Sequence, residues 1–416
     1  MKYFSSIKKN FYKGKTLFDG YSISPNNTSY LLSNFSPGPA TINPIVIKDV
    51  SRDLNGELIK YGSTPLEISH RSPEFSKILE NVNTKIKSFM EIPDEFTIIW
   101  TQAGGHGQFS AVPLNMNRVF KDVIGYYLVT GTWSSRAHNE SIKFIKSHNL
   151  NKSFYETNKN ILEYNKLPEN LDIPEDADYL YICSNETVNG TEFKESGIKY
   201  PTREKLKKTK LVVDMSSDFM MKKIDWKNID VAFACTSKNM GVAGANVVII
   251  RKDLINCTKE NKDVPIPCVL DWKLYSDSNS LYNTPAVFNM YLLNKVLDNY
   301  IDEMKTIENM EKYNELKAKL FYSFLDDNDI FTPCVTDKKS RSNINIPFIV
   351  GDGKEEIKSQ FLEHCYNHNV VGLRTKTPFS YESMGLIEPL RISLYNGIKL
   401  EDVERIIQVM KAFQPE

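Results

Sequence analysis

The sequence predicts an α/β protein: a large layered domain on a mostly parallel sheet, followed by a smaller C-terminal α+β domain. Three observations predict it. Short apolar runs of strand length alternate with amphipathic stretches through the middle of the chain, as strands alternate with crossover helices. Polar turns follow several of these runs, at the strand ends where open α/β sheets hold ligands. After Thr284 the pattern changes to a long helical stretch and then to mixed helices and strands. A chain of 416 residues, 41% apolar and 25% charged, has the profile of a globular protein of two or three domains.

Residues 1–30 read as an extension, either disordered or targeting. They hold Lys2, Lys8, Lys9, Lys13 and Lys15 against one acid, Asp19, and lead into a polar loop, Pro25–Ser29. Residues 31–285 read as the large domain. Its buried strands are Thr97–Trp100, Ile124–Val129, Tyr179–Cys183, Leu211–Val213, Val231–Ala234 and Ala245–Ile250. Glu74–Met90 and Trp133–His148 read as amphipathic helices between strands. Residues 286–416 read as the small domain. It opens on Ala286–Leu325, a helical stretch without Pro or Gly whose length predicts a break. Asn343–Val350 and Leu390–Leu394 follow as strands, and Lys354–Asn369 and Leu400–Phe413 as helices. Glu401 and Asp402 stand in the first turn of the last helix, where its dipole favours acids.

Basic and acidic side chains balance at 52 each, which argues against a nucleic-acid or membrane-surface partner. No apolar run is long enough to span a bilayer. The six cysteines are irregularly spaced with no CxxC pair, so free thiols in a reduced, cytoplasmic setting are expected; organellar targeting by the extension stays open. His364 and His368 flank Cys365 at helical spacing, half of a metal site with no third ligand in reach, and no metal is expected. Asn185-Glu186-Thr187 and Asn189-Gly190-Thr191 match the glycosylation pattern, which carries no meaning in a reduced compartment.

The chemistry concentrates between Leu211 and Ile250. Asp214 ends one buried strand, and Lys238 lies in a polar turn, Cys235–Gly241, between two others. A partly buried lysine at strand C-termini is a candidate Schiff-base nucleophile, and an acid nearby can serve a pyridinium nitrogen. Taken alone, the same pair also reads as a capping carboxylate and a solvated turn lysine.

The surrounding motifs resemble those of the phosphoserine aminotransferases, class-V members of the pyridoxal 5'-phosphate (PLP) enzymes of fold type I. They are Asn34-Phe35-Ser36-Pro37-Gly38-Pro39-Ala40, Glu67-Ile68-Ser69-His70-Arg71 and the glycine-rich run from Gln102 to Asn115. Asn185-Glu186-Thr187, Asp214-Met215-Ser216-Ser217-Asp218, Ser237-Lys238-Asn239, Asn283-Thr284-Pro285 and Arg391-Ile392-Ser393-Leu394-Tyr395-Asn396 follow in the family's order. The resemblance spans roughly residues 33 to 413.

The resemblance implies a role for each matched residue. Lys238 is expected to carry PLP as a Schiff base and to shuttle protons. Asp214 is expected to pair with the ring nitrogen, Trp133 to stack on the ring and Thr187 to bond its phenolic oxygen. Backbone N–H groups at Gly105 and His106 are expected to hold the cofactor phosphate. Asn283 and Thr284 would reach that phosphate from a second subunit, which implies a homodimer with shared sites. His70 and Arg71 are expected to meet substrate, and Arg391 to clamp its α-carboxylate. The implied reaction moves an amino group from L-glutamate to 3-phosphohydroxypyruvate, a step of serine biosynthesis.

Two departures from the family pattern stand out. Ser237 takes the place of a usual Gln before the lysine, and its shorter side chain is expected to reach the phosphate through a water instead of directly. The usual Gly-His-Arg segment ahead of Arg391 is replaced by a longer loop, Gly372–Gly385, in which Arg374 is the first candidate for substrate phosphate, Lys376 the second, and Glu382 adds an opposing charge. Position 106, often Arg, Cys or Thr, is His. The alternatives are a class-V enzyme with an unphosphorylated substrate and a non-catalytic scaffold with the same fold.

Overall fold

The structure is a computed structural model that describes residues 32–55, 64–151, 166–257, 265–373 and 388–415. The extension 1–30, Arg374, Lys376 and Glu382 lie outside the described residues.

The chain enters with a two-residue strand, β1 (Ser33–Asn34), and two helices, α1 (Pro44–Leu54) and α2 (Pro73–Phe89). Both helices begin as their sequences dictate, with Asn43 and Ser72 as N-caps and proline in the first turn. There follow β2 (Phe96–Thr101), α3 (Gly104–Val119), β3 (Ile124–Leu128), α4 (Thr132–Ser141), β4 (Lys146–Asn149) and β5 (Tyr179–Cys183). The short hairpin strands β6 (Asn185–Glu186) and β7 (Thr191–Glu192) precede α5 (Arg203–Leu206), β8 (Lys210–Asp214), β9 (Val231–Cys235) and β10 (Asn246–Arg251).

These strands build a seven-stranded sheet in the order β2-β10-β9-β8-β5-β3-β4. β9, β8, β5, β3 and β4 pair in parallel, whereas β10 runs antiparallel to both its neighbours. The strands are apolar on both faces because both faces are covered. Leu180, Ile182, Leu211, Val213, Ala232 and Ala234 enter one core with α2 side chains such as Phe75 and Ile78. Their chain neighbours Tyr179, Tyr181, Val212, Val231 and Phe233 enter another with Phe109 and Val112 of α3. This is the period-two alternation of a strand, read by two cores at once.

The stretch expected as one helix from Trp133 to His148 is two elements. The helix stops at Ser141, and Lys146–Asn149 adds to the free edge of β3 as a parallel strand. A short polar edge strand carries no apolar alternation, so helical spacing runs through it unopposed.

After α6 (Lys252–Asn256) and α7 (Trp272–Asp277), the long helical stretch breaks as expected into α8 (Val287–Met304) and α9 (Ile307–Asp326). Lys305 turns the chain at φ 67°, and the Thr306 hydroxyl accepts from the Asn309 N–H at 3.3 Å as N-cap of α9. Met290, Leu293, Val296 and Leu297 of α8 belong to the same core as α2. Beyond Ala318 the side chains enter a separate core around an antiparallel sheet of β11 (Phe331–Pro333), β12 (Asn345–Val350) and β14 (Leu390–Ser393). α10 (Glu355–Asn367) and α11 (Leu400–Ala412) pack there. The strand β13 (Val370–Val371) pairs in parallel with β1, which places Phe35 in this second core.

Candidate active site

A cavity of about 290 Å³ opens at the C-terminal ends of β5, β8 and β9, beside the start of α3. Cys183, Asp214 and Cys235, the last residues of those strands, line it. This is where an open α/β sheet leaves room between diverging loops.

Asp214 is buried, 4% exposed, and one of its oxygens accepts from the Ser216 N–H at 2.9 Å. The Tyr181 hydroxyl donates to the other at 3.2 Å. Burial pushes the carboxyl up to about 6, with Asp218 adding to the rise and the two donors opposing it. The group is therefore mostly ionised at neutral pH.

Lys238 lines the same cavity from the turn after β9. Its backbone neighbourhood is tied down. The Ser237 carbonyl accepts from the Ala40 N–H at 2.9 Å, and the Asn239 side chain donates to the Ser217 and Phe219 carbonyls, each at 3.1 Å. The lysine amine donates to the Pro37 carbonyl, which also accepts from the Tyr395 hydroxyl at 2.8 Å, and it lies 5.6 Å from the Tyr395 ring centre. Gly38 is required here. It has φ +146°, and a Cβ on it would come within 2.7 Å of the lysine nitrogen. The Tyr395 turn is held from below by the buried Lys317, which donates to the Leu394, Tyr395 and Ile398 carbonyls at 3.1, 3.0 and 2.9 Å.

The remaining walls come from α3, α4 and the β6–β7 hairpin. Ala103, at φ 72°, turns the chain after β2, and α3 starts with Gly104 and Gly105 at the cavity. Its first-turn N–H groups have no partner within the helix, which makes this end a receptor for an anion. The His106 ring packs edge-on against Trp133 with centroids 5.6 Å apart; burial, then the Arg136 charge, lowers its pKa. Trp133 forms a flat wall and Thr187 lines the cavity from the hairpin. Arg391 is buried just behind, its guanidinium donating to the Thr187 carbonyl.

Gly105, His106, Trp133, Thr187, Asp214, Ser237 and Lys238 thus meet at one cavity, with Arg391 against its wall. His70 and Arg71 lie in the turn ahead of α2, and Asn283 and Thr284 in the loop ahead of α8; none of the four lines the cavity. The Thr284 carbonyl accepts from the Gln102 side chain at 2.7 Å. The His364 imidazole is bonded to the Val409 carbonyl at 3.0 Å and that of His368 to the His364 carbonyl at 2.8 Å. Motif reading assigned no role to Pro37, Gly38, Glu186 or Tyr395, although all four lie inside the quoted motifs. Their position beside role-bearing residues was the only available signal.

The cavity fits the cofactor implied by the sequence. An amine faces it from one side, a buried carboxylate from another, an indole supplies a flat wall and a helix start offers N–H donors. The Trp133 indole N–H is buried at this cavity without a hydrogen-bond partner among the described residues. Such a lining suits a flat, anionic heteroaromatic aldehyde.

The sequence profile of the class-V aminotransferases matches residues 32–406. Phosphoserine aminotransferase 1, chloroplastic, of Arabidopsis thaliana is 34% identical over 92% of this chain and 82% of its own length. Phosphoserine aminotransferase of Bacillus cereus is 33% identical over 92% and 98%. Among solved structures, phosphoserine aminotransferase from Bacillus circulans subsp. alkalophilus superposes with a TM-score of 0.79 at 28% identity, over 91% of this chain and 97% of that one. The PLP-bound phosphoserine aminotransferase from Trichomonas vaginalis gives 0.78 at 28%, over 91% and 99%.

Proposed function

The chain belongs to the class-V aminotransferase family and is a PLP-dependent transaminase; on that premise we propose that it transfers the amino group of L-glutamate to 3-phosphohydroxypyruvate, giving O-phospho-L-serine and 2-oxoglutarate. The observation that carries the reading is that Lys238 and the buried Asp214 carboxylate line one cavity.

PLP, when bound, supplies an electron sink for the substrate carbon that loses its proton. The chain's residues do the rest. Lys238 would hold the group and take up at its amine nitrogen the proton that leaves the substrate carbon, and the Pro37 carbonyl orients that nitrogen. Asp214 holds negative charge where the ring nitrogen needs it. Trp133 walls off water and holds the ring plane, and Thr187 orients the ring's oxygen edge. The start of α3, at Gly105 and His106, receives the phosphate, with Ser237 beside it. Arg391 takes the substrate α-carboxylate.

His70, Arg71, Asn283 and Thr284 act in a neighbouring copy's cavity, so the working unit is a homodimer. The same two segments expose large apolar side chains, Leu66 at 66% and Tyr282 at 49%, which a second copy would cover. No helix among the described residues is long and apolar enough to cross a membrane.

The experiment is a turnover comparison of 3-phosphohydroxypyruvate with unphosphorylated hydroxypyruvate, glutamate being the donor. The phosphorylated acid should have the higher kcat/KM. Arg71→Ala should cost the phosphorylated acid at least about tenfold more than the other, since a charge-assisted bond contributes roughly 1.5–3 kcal/mol. Equal efficiencies in the wild-type protein would assign it an unphosphorylated substrate instead.

A further inference from the structure

The first turn of α4 carries Trp133, and its free N–H groups end on two side chains of the β6–β7 hairpin. The Thr132 N–H donates to the Asn189 side-chain oxygen at 2.9 Å. The Trp133 N–H donates to one oxygen of Glu186 at 2.9 Å, and the Ser134 N–H donates to the other at 2.8 Å. The Ser134 hydroxyl donates to that second oxygen at 2.5 Å and accepts from the Thr130 and Gly131 N–H groups at 2.9 and 3.1 Å. Glu186 is fully buried, with 0% exposure, at the positive end of the helix dipole. A Cβ on Gly131 would overlap Glu186 and Asn189, so the helix start is pressed directly against both.

The indole itself has no such anchor. Its N–H is buried without a partner among the described residues; the ring packs on the apolar cluster that contains Phe109 and Val112, with the His106 ring centroid at 5.6 Å and the Arg136 guanidinium at 5.0 Å. Ring contacts of this kind are weak and tolerate rotation. The plane of the wall therefore depends on where the backbone is held.

We propose that Glu186 is a positioning residue of the active site: its carboxylate fixes the first turn of α4 and thereby the plane of the Trp133 indole against the cofactor. The same hairpin also carries Thr187, which lines the cavity in its own right. A carboxylate is needed because both oxygens must accept; the amide of glutamine turns one into an N–H group facing another donor.

The test uses the protein with and without PLP. In the apo-protein, the near-ultraviolet dichroism of Trp133 is isolated as the difference between wild type and Trp133→Phe. Glu186→Gln should reduce that band to a minor fraction and raise the PLP dissociation constant about tenfold or more, the usual range when the support of a ligand contact is removed. In the Trp133→Phe background the same substitution should barely change PLP affinity, because the effect travels through the indole. Ser134→Ala removes one of the bonds to Glu186 and should move both readouts the same way by less, which keeps the inference testable if Glu186→Gln does not fold. An unchanged Trp133 band in folded Glu186→Gln overturns the proposal, as does an equal loss of affinity in both backgrounds. The inference rests on Trp133 flanking the bound ring. Wild-type PLP affinity in Trp133→Phe would sink that reading, while the apo dichroism would still decide whether Glu186 holds the indole.

Discussion

Asp214 shows how one buried residue couples stability to cofactor binding. Its carboxyl is raised from an ordinary value of 3.8 to about 6 by burial. The folded apo-protein therefore keeps the proton that the unfolded chain gives up between those values. Stability from this group falls as pH rises through that window, and above about 6 the buried charge is a constant penalty of about 3 kcal/mol. Asp214→Asn removes the charge. Denaturant unfolding of the apo-protein should find it more stable than wild type at pH 7.5, by up to about 3 kcal/mol, with the difference vanishing near pH 4. The same substitution should bind PLP yet lose most of the transamination rate, because asparagine cannot stabilise a protonated ring nitrogen. Wild-type affinity for PLP should climb between pH 5 and 7 more steeply than that of Asp214→Asn, the comparison cancelling the phosphate's own titration. Parallel pH profiles would show that the ring does not meet this carboxylate. Lys238→Ala should abolish the Schiff-base absorption band of the yellow wild-type protein, and a wild-type chain left colourless with excess PLP would contradict the assignment of Lys238.

At the scale of elements, the α8–α9 break is the place where local rules can be tested away from the chemistry. Lys305 sits at φ 67°, a conformation costly for a side chain, and Thr306 caps the following helix. Lys305→Gly should raise stability by up to about 1 kcal/mol, since glycine adopts positive φ without a Cβ clash. Thr306→Ala should lower it by about 1 kcal/mol through loss of the cap. Urea unfolding would read both, and shifts of the same sign would mean that packing rather than backbone geometry governs the break. The break was legible because forty residues of unbroken helical composition exceed an ordinary helix; its position was not, because neither glycine nor proline marks it.

For the whole molecule, the cavity is only part of the proposed site. Pro37 and Gly38 bring the segment after β1 onto Lys238, and Tyr395 arrives there from the turn after β14. Segments 358 residues apart in the chain thus meet at the amine. On the proposed reading, His70, Arg71, Asn283 and Thr284, none of which lines this chain's cavity, serve a second copy. Mixing decides this. Arg71→Ala and Lys238→Ala chains, each impaired alone, should regain activity when dissociated and reassociated together, because a mixed dimer holds one site with both wild-type residues. A mixture no more active than its components would place each site within a single chain.

The layered class, six of the seven strands of the central sheet and the order of the chemical motifs are legible in the chain. These follow from local patterns, because a strand covered on both faces must be apolar along its length wherever it lies in the chain. Strand ends visible in the chain place Asp214 at the end of one strand and Lys238 in the turn after another, but only the surrounding family-like motifs single them out as a pair. Tertiary structure alone decided which groups face them. Pro37 is 201 residues from Lys238, and Glu186 meets the first turn of α4 from more than fifty residues away. Tertiary structure also decided that Lys146–Asn149 is a strand, because its partner β3 supplies the missing backbone bonds. The physical reason is common to all three. Periodicity records burial, whereas a hydrogen bond between distant segments depends on how the chain crosses itself, and no local pattern carries that information.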